Sequence, residues 1–238
     1  IIEKPFCLNE KELKHLHLLL RKNKQIKFTS NMVLRVNSLF SKIKRISQRE
    51  EIFYIEADYI WGRGHKLFEW RSKIKKYSLI HGAAIHMIDL ICWMIRKKPT
   101  HVMTFGNNIA TRKSKFIKDS LVLIILKFSN GLLVKITANG AAKFNHFHEL
   151  RIFSKKRSIL NYALGSYCFE NGKMKKLAGN YPDKKNRKKL IQEFLKSIVT
   201  SKKSKLVYKK DLFDTMSICF AAEKSLNTKR QIKINYIK

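Results

Sequence analysis

Proline and glycine are scarce in this chain of 238 residues, with 3 and 9 copies. This scarcity excludes long flexible linkers and collagen-like structure, and the sequence shows no low-complexity tract or internal repeat. Hydrophobic residues make up 45% and charged residues 29% of the chain, a balance typical of a globular protein rather than a disordered one. The length suits one large domain, or one domain and a smaller unit.

Cysteine is also sparse, and the four copies (Cys7, Cys92, Cys168 and Cys219) lie far apart with no CxxC pair. This spacing argues against a metal cluster and suits a reducing compartment, so we expect a cytoplasmic protein. Long apolar runs are lacking too: the segment 121–126 is far shorter than a membrane span requires. The charged first residues are not typical of a signal peptide.

Acidic residues are few, with 17 Asp and Glu against 51 Lys and Arg, which gives a net charge of +34 and a pI near 10.2. Such a charge permits a nucleic-acid partner. However, the lysines are spread over nearly every segment, and no zinc-knuckle or RNP-like aromatic pattern accompanies them. The pattern favours a general enrichment in lysine, and nucleic-acid binding remains an alternative function.

Apolar periodicity predicts both helices and strands. Asn9 and Glu12 have the spacing of a capping box that opens the first helix. Further helices are predicted over 39–46, 79–95, 188–199 and 211–226. A strand and turn are predicted over 26–36, a charged loop over 62–76, and strands over 52–61, 101–107, 120–128, 132–139, 149–153, 158–162, 167–170, 173–177 and 231–237. We therefore predict an α+β fold, with an α/β segment followed by a mostly antiparallel sheet with helices.

Several short motifs occur in a fixed order along the chain. They are Ile2-Glu3-Lys4-Pro5, Leu34-Arg35, His86-Met87-Ile88-Asp89, the β-rich stretch 109–139 and Phe220-Ala221-Ala222-Glu223-Lys224-Ser225. In this order they resemble the C-terminal part of the Gfo/Idh/MocA family of NAD(P)-dependent oxidoreductases. The resemblance spans nearly the whole chain.

The resemblance implies a C-terminal domain of the glyceraldehyde-3-phosphate-dehydrogenase-like type. Residues 1–36 would be the remnant of a Rossmann domain, and 37–238 a substrate-binding and oligomerisation domain that pairs through its open sheet face. Family members carry a GxGxxG turn for NAD or NADP, which is missing here, so we expect about a hundred residues before Ile1 in a full form. This chain alone is expected to be inactive and to bind NADH negligibly.

The resemblance also implies roles for single residues. Lys4, after a cis Lys4–Pro5 bond, and His86 would be catalytic, Asp89 would orient the His86 ring, and Glu3, Lys4 and Pro5 would border the cofactor. From residue type alone, a solvated lysine is the favoured interpretation of Lys4, and the alternative for His86 is a core histidine bonded to Asp89. Many members carry Asp four residues before this histidine, where this chain has Gly82, so the proton relay through that Asp is in question.

Basic and aromatic residues predict the substrate side, because arginine binds anionic oxygens and tryptophan stacks on sugar faces. The candidates are Arg35, Arg63, His65, Lys66, Trp70, Arg71 and Tyr77. As a group they favour an anionic sugar, as in surface-sugar or nucleotide-sugar dehydrogenases. His146 and His148 alternate on one strand face, but we predict no metal because no Cys or clear carboxylate partner completes a site. A catalytically silent interaction module is the alternative from another class.

Overall fold

A nine-stranded sheet organises the described part of the chain, which comprises residues 1–179, 181–200, 202, 204 and 206–237 of a computed structural model. The strands are β1 (Ile52–Ile60), β2 (His101–Asn107), β3 (Leu121–Lys127), β4 (Leu133–Asn139), β5 (Phe147–Ser154), β6 (Arg157–Tyr162), β7 (Gly165–Glu170), β8 (Lys173–Lys176) and β9 (Ile232–Lys233). Their order in the sheet is β8-β7-β6-β5-β1-β4-β3-β2-β9. β1 and β4 run parallel, and all the other described pairs are antiparallel.

The helices cover one face of this sheet. They are α1 (Glu10–Lys22), α2 (Ser38–Ser47), the one-turn α3 (Trp70–Lys73), α4 (Ile85–Ile95), α5 (Lys188–Val199) and α6 (Lys209–Thr228). Alternate residues of the central strands are buried under them; in β4 these are Val134, Ile136 and Ala138. The predicted α+β class is therefore confirmed.

The other face of the sheet is open and mixed in polarity. Glu56, on β1, receives a hydrogen bond from Arg151 at 3.0 Å, and Asp58 accepts one from Thr137 of the parallel strand β4. Phe53 and Leu133 are more than two-fifths exposed on the same sheet. This is the face for which the family resemblance predicts subunit contacts.

The first segment of the chain packs into the same core as the rest. Asn9 caps α1 by accepting a hydrogen bond from the amide of Glu12 at 2.9 Å, as the capping-box spacing predicted. Ile2, which precedes α1 in the sequence, and Ser30, which follows it, form a single parallel β-bridge. Phe6 and Leu13 join the same buried cluster as the central strands. The predicted domain boundary after residue 36 stays a prediction.

The last strand, predicted over 231–237, is limited to Ile232–Lys233, and two further predicted segments differ in detail. The stretch 26–36 was predicted as a strand and turn, but Ser30 contributes only that single bridge, and Val33–Val36 forms a 3-10 turn. The predicted loop 62–76 contains a 3-10 turn at Gly64–Leu67 as well as α3. Both are short elements whose tertiary contacts outweigh weak local periodicity. No helix among the described residues is long and apolar enough to cross a bilayer.

Candidate functional site

His86 lies at the start of α4, directly after a π-helical turn over Ile80–Ala84. Its side chain is buried against β1, where the Tyr59 ring stacks on the imidazole with centroids 5.8 Å apart and planes 8° from parallel. Nδ1 of His86 is buried without a hydrogen-bond partner among the described residues. A buried polar nitrogen without a hydrogen-bond partner is energetically costly unless a ligand or water bonds to it.

Lys4 approaches the same helix from the N-terminal segment. The Lys4–Pro5 peptide bond is cis, and the ammonium donates a hydrogen bond to the carbonyl oxygen of Gly82. Burial and the nearby Arg71 cation lower the pKa of Lys4 to about 8, while Glu3 acts in the opposite direction. Lys4 is therefore a half-buried functional group rather than a solvated lysine.

Lys4 and His86 share one electrostatic environment. Burial, and next the Lys4 charge, hold the pKa of His86 well below its usual range. The imidazole is consequently neutral near pH 7 and able to accept a proton, whereas Lys4 remains mostly protonated there and able to donate a hydrogen bond. The pair thus supplies an acceptor and a donor on one side of the sheet.

The predicted role of Asp89 is wrong in this structure. Its carboxylate accepts two hydrogen bonds from Arg35, at 2.9 Å from Nε and 2.6 Å from Nη2, instead of orienting His86. Arg35 was predicted to bind substrate, but it lies in the core with only 1% of its surface exposed. Its Nη1 donates to Asp211 at 2.7 Å and to the Leu206 carbonyl at 2.9 Å, so the guanidinium is bonded to groups of the protein itself.

Two further histidines border His86. The His146 and His148 rings lie 4.8 Å apart, and both contact Tyr59 edge-on, so they share one face as the strand alternation predicted. His148 Nδ1 contacts the Tyr181 hydroxyl, which also accepts the His148 amide at 2.8 Å. Burial lowers the pKa of both imidazoles.

Sequence reasoning missed Tyr59 and Tyr181, because each comes from a segment far from the histidines it contacts. No group of three or more metal-ligating side chains occurs among the described residues. Aromatic rings beside neutral imidazoles instead form a surface suited to an uncharged ring with hydroxyl groups.

A cavity of about 670 Å³ opens beside this cluster at the ends of β1 and β4. Of the predicted substrate residues, Arg63 and His65 line it, together with Lys143. Arg63 also borders the smaller pocket that contains His146 and His148. The larger cavity therefore presents cations next to the histidine cluster.

The remaining predicted substrate residues surround Arg71. Its guanidinium lies 4.2 Å from the centroid of Trp70, and its Nε donates to the Tyr77 hydroxyl at 3.2 Å. Lys66 contributes its carbonyl, which accepts from Arg71 at 3.3 Å. Glu3 is exposed and accepts from Asn31 at 2.8 Å. Apart from Arg35 and Asp89, the predicted residues thus lie around Lys4, His86 or the cavity.

Residues 49–160 match the model of the GFO/IDH/MocA C-terminal domain, from β1 into β6. The matched segment is slightly less than half of the chain, and its similarity is to the C-terminal domain of the Gfo/Idh/MocA family. No curated protein sequence matches the chain.

Solved structures share its fold at low identity. The myo-inositol 2-dehydrogenase of Lactobacillus plantarum has a TM-score of 0.80 at 18% identity, covering 98% of this chain and 72% of its own. The scyllo-inositol dehydrogenase of Lactobacillus casei, with bound NAD(H) and scyllo-inositol, scores 0.78 at 15% identity, covering 97% and 72%. The UDP-N-acetylglucosamine 3-dehydrogenase of Acidithiobacillus ferrooxidans scores 0.77 at 17% identity, covering 96% and 70%.

Proposed function

We propose that this chain forms the substrate side of an oxidoreductase that transfers hydride between NAD or NADP and a hydroxyl or carbonyl group of a sugar or nucleotide sugar. The observation that carries the proposal is the joint placement of Lys4, bonded to Gly82 in the π-helical turn, and His86 at the start of α4, two ionisable groups with lowered pKa values. Perturbed titration in a cleft is typical of groups that move protons. The match to the family model and the sugar dehydrogenases with the same fold support the reaction class.

The proposed reaction assigns different tasks to the two side chains. The neutral imidazole of His86 accepts the proton of the substrate hydroxyl, and the Lys4 ammonium donates a hydrogen bond to the same oxygen. When bound, a nicotinamide cofactor supplies the hydride acceptor or donor. The unpartnered His86 Nδ1 fits the reacting end of such a site, whereas the 238 residues contain no GxGxxG turn for the cofactor's pyrophosphate.

The cavity beside the histidines is the proposed place for the rest of the substrate. Arg63, His65 and Lys143 favour a phosphate or carboxylate group at that end. We therefore propose an anionic sugar or nucleotide sugar as the substrate class. We further propose that the protein assembles as a homo-oligomer through the open sheet face.

Tryptophan fluorescence tests the substrate side without turnover. Trp61 and Trp70 both lie near Arg71. Trp93 lies on α4, where the Lys44 ammonium contacts the face of its ring. In a Trp93→Phe chain, titration with UDP-N-acetylglucosamine, myo-inositol and levoglucosan should give a saturable change for at least one ligand, strongest for the anionic one. Arg63→Gln should weaken that binding, and Arg151→Gln, which removes a cation from the open sheet face, should not.

The absence of saturable binding for every ligand of this panel up to millimolar concentration would reject the proposed substrate class. Equilibrium dialysis with NADH provides the complementary measurement. We expect negligible NADH binding by this chain, because it lacks the pyrophosphate turn. Tight, stoichiometric binding would contradict that expectation.

A further inference from the structure

Position 82 has no side chain, and the hydroxyl of Tyr77 fills the space where one would begin. A Cβ built on Gly82 would lie 1.9 Å from the Tyr77 oxygen and 2.5 Å from its Cζ, far inside van der Waals contact. Tyr77 is only 4% exposed, so it has little room to move away. Gly82 and Tyr77 therefore form an interlocked pair, in which the phenol takes the place of a side chain at position 82.

The Tyr77 hydroxyl in turn holds Arg71. The guanidinium Nε donates to that hydroxyl at 3.2 Å, and the charged plane lies over Trp70 at 4.2 Å and near Trp61 at 5.3 Å. No carboxylate pairs with Arg71 among the described residues. The cation is thus fixed by aromatic rings, the Tyr77 hydroxyl and the Lys66 carbonyl, and no carboxylate among the described residues pairs with its charge.

Lys4 contacts the same interlocked pair from the other side, through its hydrogen bond to the Gly82 carbonyl. After burial, the Arg71 charge is the largest influence that lowers the pKa of Lys4 to about 8. A carboxylate side chain at position 82 would act in the opposite direction and raise it. The other titratable groups that act on Lys4 or respond to its charge are Glu3, Cys219, His86 and His148.

We propose that Tyr77 is a positioning residue whose hydroxyl, occupying the place of a side chain at position 82, fixes the Arg71 cation as the charged neighbour of Lys4. The role of Lys4 in catalysis, on which this inference bears, rests on the proposed function. With a cation rather than an anion beside it, Lys4 loses its proton at mildly alkaline pH. A more acidic Lys4 ammonium donates a stronger hydrogen bond to the substrate oxygen while His86 accepts the hydroxyl proton, so no carboxylate at position 82 is needed.

Competitive acetylation of the chain over a range of pH, read by mass spectrometry of the Lys4 peptide, measures the protonation of Lys4 without substrate or cofactor. The wild type should show a midpoint of about 8. Arg71→Gln and Tyr77→Phe should each raise it by about one pH unit, which lowers the neutral fraction at pH 7 about tenfold. Tyr236→Phe is the matched control, because it removes another hydroxyl bond, to the carbonyl of Pro99, away from Lys4.

The outcomes separate the possibilities. A wild-type midpoint at the ordinary lysine value overturns the inference, as does a Tyr77→Phe midpoint that stays at the wild-type value while Arg71→Gln raises it. Far-ultraviolet circular dichroism of each variant establishes that the fold is intact, and Arg71→Gln tests the charge even if Tyr77→Phe does not fold. Absence of sugar binding would reject the proposed function and leave the Lys4 result standing.

Discussion

At the scale of single residues, Gly82 and Tyr77 act as one steric unit. In an ordinary helical position, replacing glycine with alanine stabilises a protein by up to about 1 kcal/mol. At position 82 the new methyl group would lie 1.9 Å from the Tyr77 oxygen. Whether Gly82→Ala stabilises or destabilises the protein therefore depends on Tyr77, which lies five positions earlier.

We predict that Gly82→Ala lowers the free energy of unfolding by about 1–3 kcal/mol, as overpacking of a filled core does. In a Tyr77→Ala background the same change should be neutral or stabilising, because the obstructing ring is gone. Urea unfolding of the four proteins of this double-mutant cycle gives the coupling energy. Equal effects of Gly82→Ala in both backgrounds would contradict the interlocked arrangement.

How much of the site could be predicted also differs from residue to residue. Lys4 and His86 were predicted from motifs whose order along the chain is informative without coordinates. The Asp89 and Arg35 assignments failed because the two residues bind each other across 54 positions of sequence, and helical spacing alone pointed Asp89 at His86. Tyr77 was predicted, but its fit against Gly82 depends on backbone geometry that no spacing rule contains.

At the scale of elements, the long helices and strands follow local periodicity closely. α5 has the bounds that its apolar spacing predicted, and α6 extends its prediction by two residues at each end. The parallel pairing of β1 with β4 is different, because the two strands are far apart in sequence and their neighbours are set by the whole sheet. Strand order is therefore a tertiary result, decided by which apolar faces the helices cover.

Arg35 joins three of these elements: its own 3-10 turn, α4 through Asp89, and α6 through Asp211. We predict that Asp89→Asn lowers the free energy of unfolding by about 3–5 kcal/mol, since it leaves a buried guanidinium short of a carboxylate. Asp211→Asn is the matched control, and it should cost less because that side chain is 34% exposed. If urea unfolding gave the same loss of unfolding free energy for both variants, the burial of Asp89 would not make its ion pair more important than that of Asp211.

At the scale of the whole molecule, the excess of positive charge contrasts with several buried imidazoles that stay neutral. Burial lowers the pKa of His81 to about 4 and holds those of His86 and His148 well below the usual value of 6.5. In the unfolded chain these groups titrate near 6.5, so unfolding takes up protons in the range between about 6.5 and 4. Their contribution to stability is complete above pH 6.5 and is lost as the pH falls through this range.

We therefore predict that the free energy of unfolding falls on acidification from pH 6.5 towards pH 5, and the three imidazoles contribute a slope of up to about 4 kcal/mol per pH unit. The lowered pKa of His146 adds to this slope, whereas the raised pKa values of Asp119, Glu149, Asp214 and Glu223 act against it. Urea unfolding at constant ionic strength measures the slope. His81→Gln should reduce the slope by up to about 1.4 kcal/mol per pH unit, because one proton-linked group is removed. Ser217→Ala, which removes a buried hydroxyl that donates to the Phe213 carbonyl at 2.9 Å, should leave the slope unchanged. Equal slopes in the wild type and in His81→Gln would contradict the lowered pKa of His81.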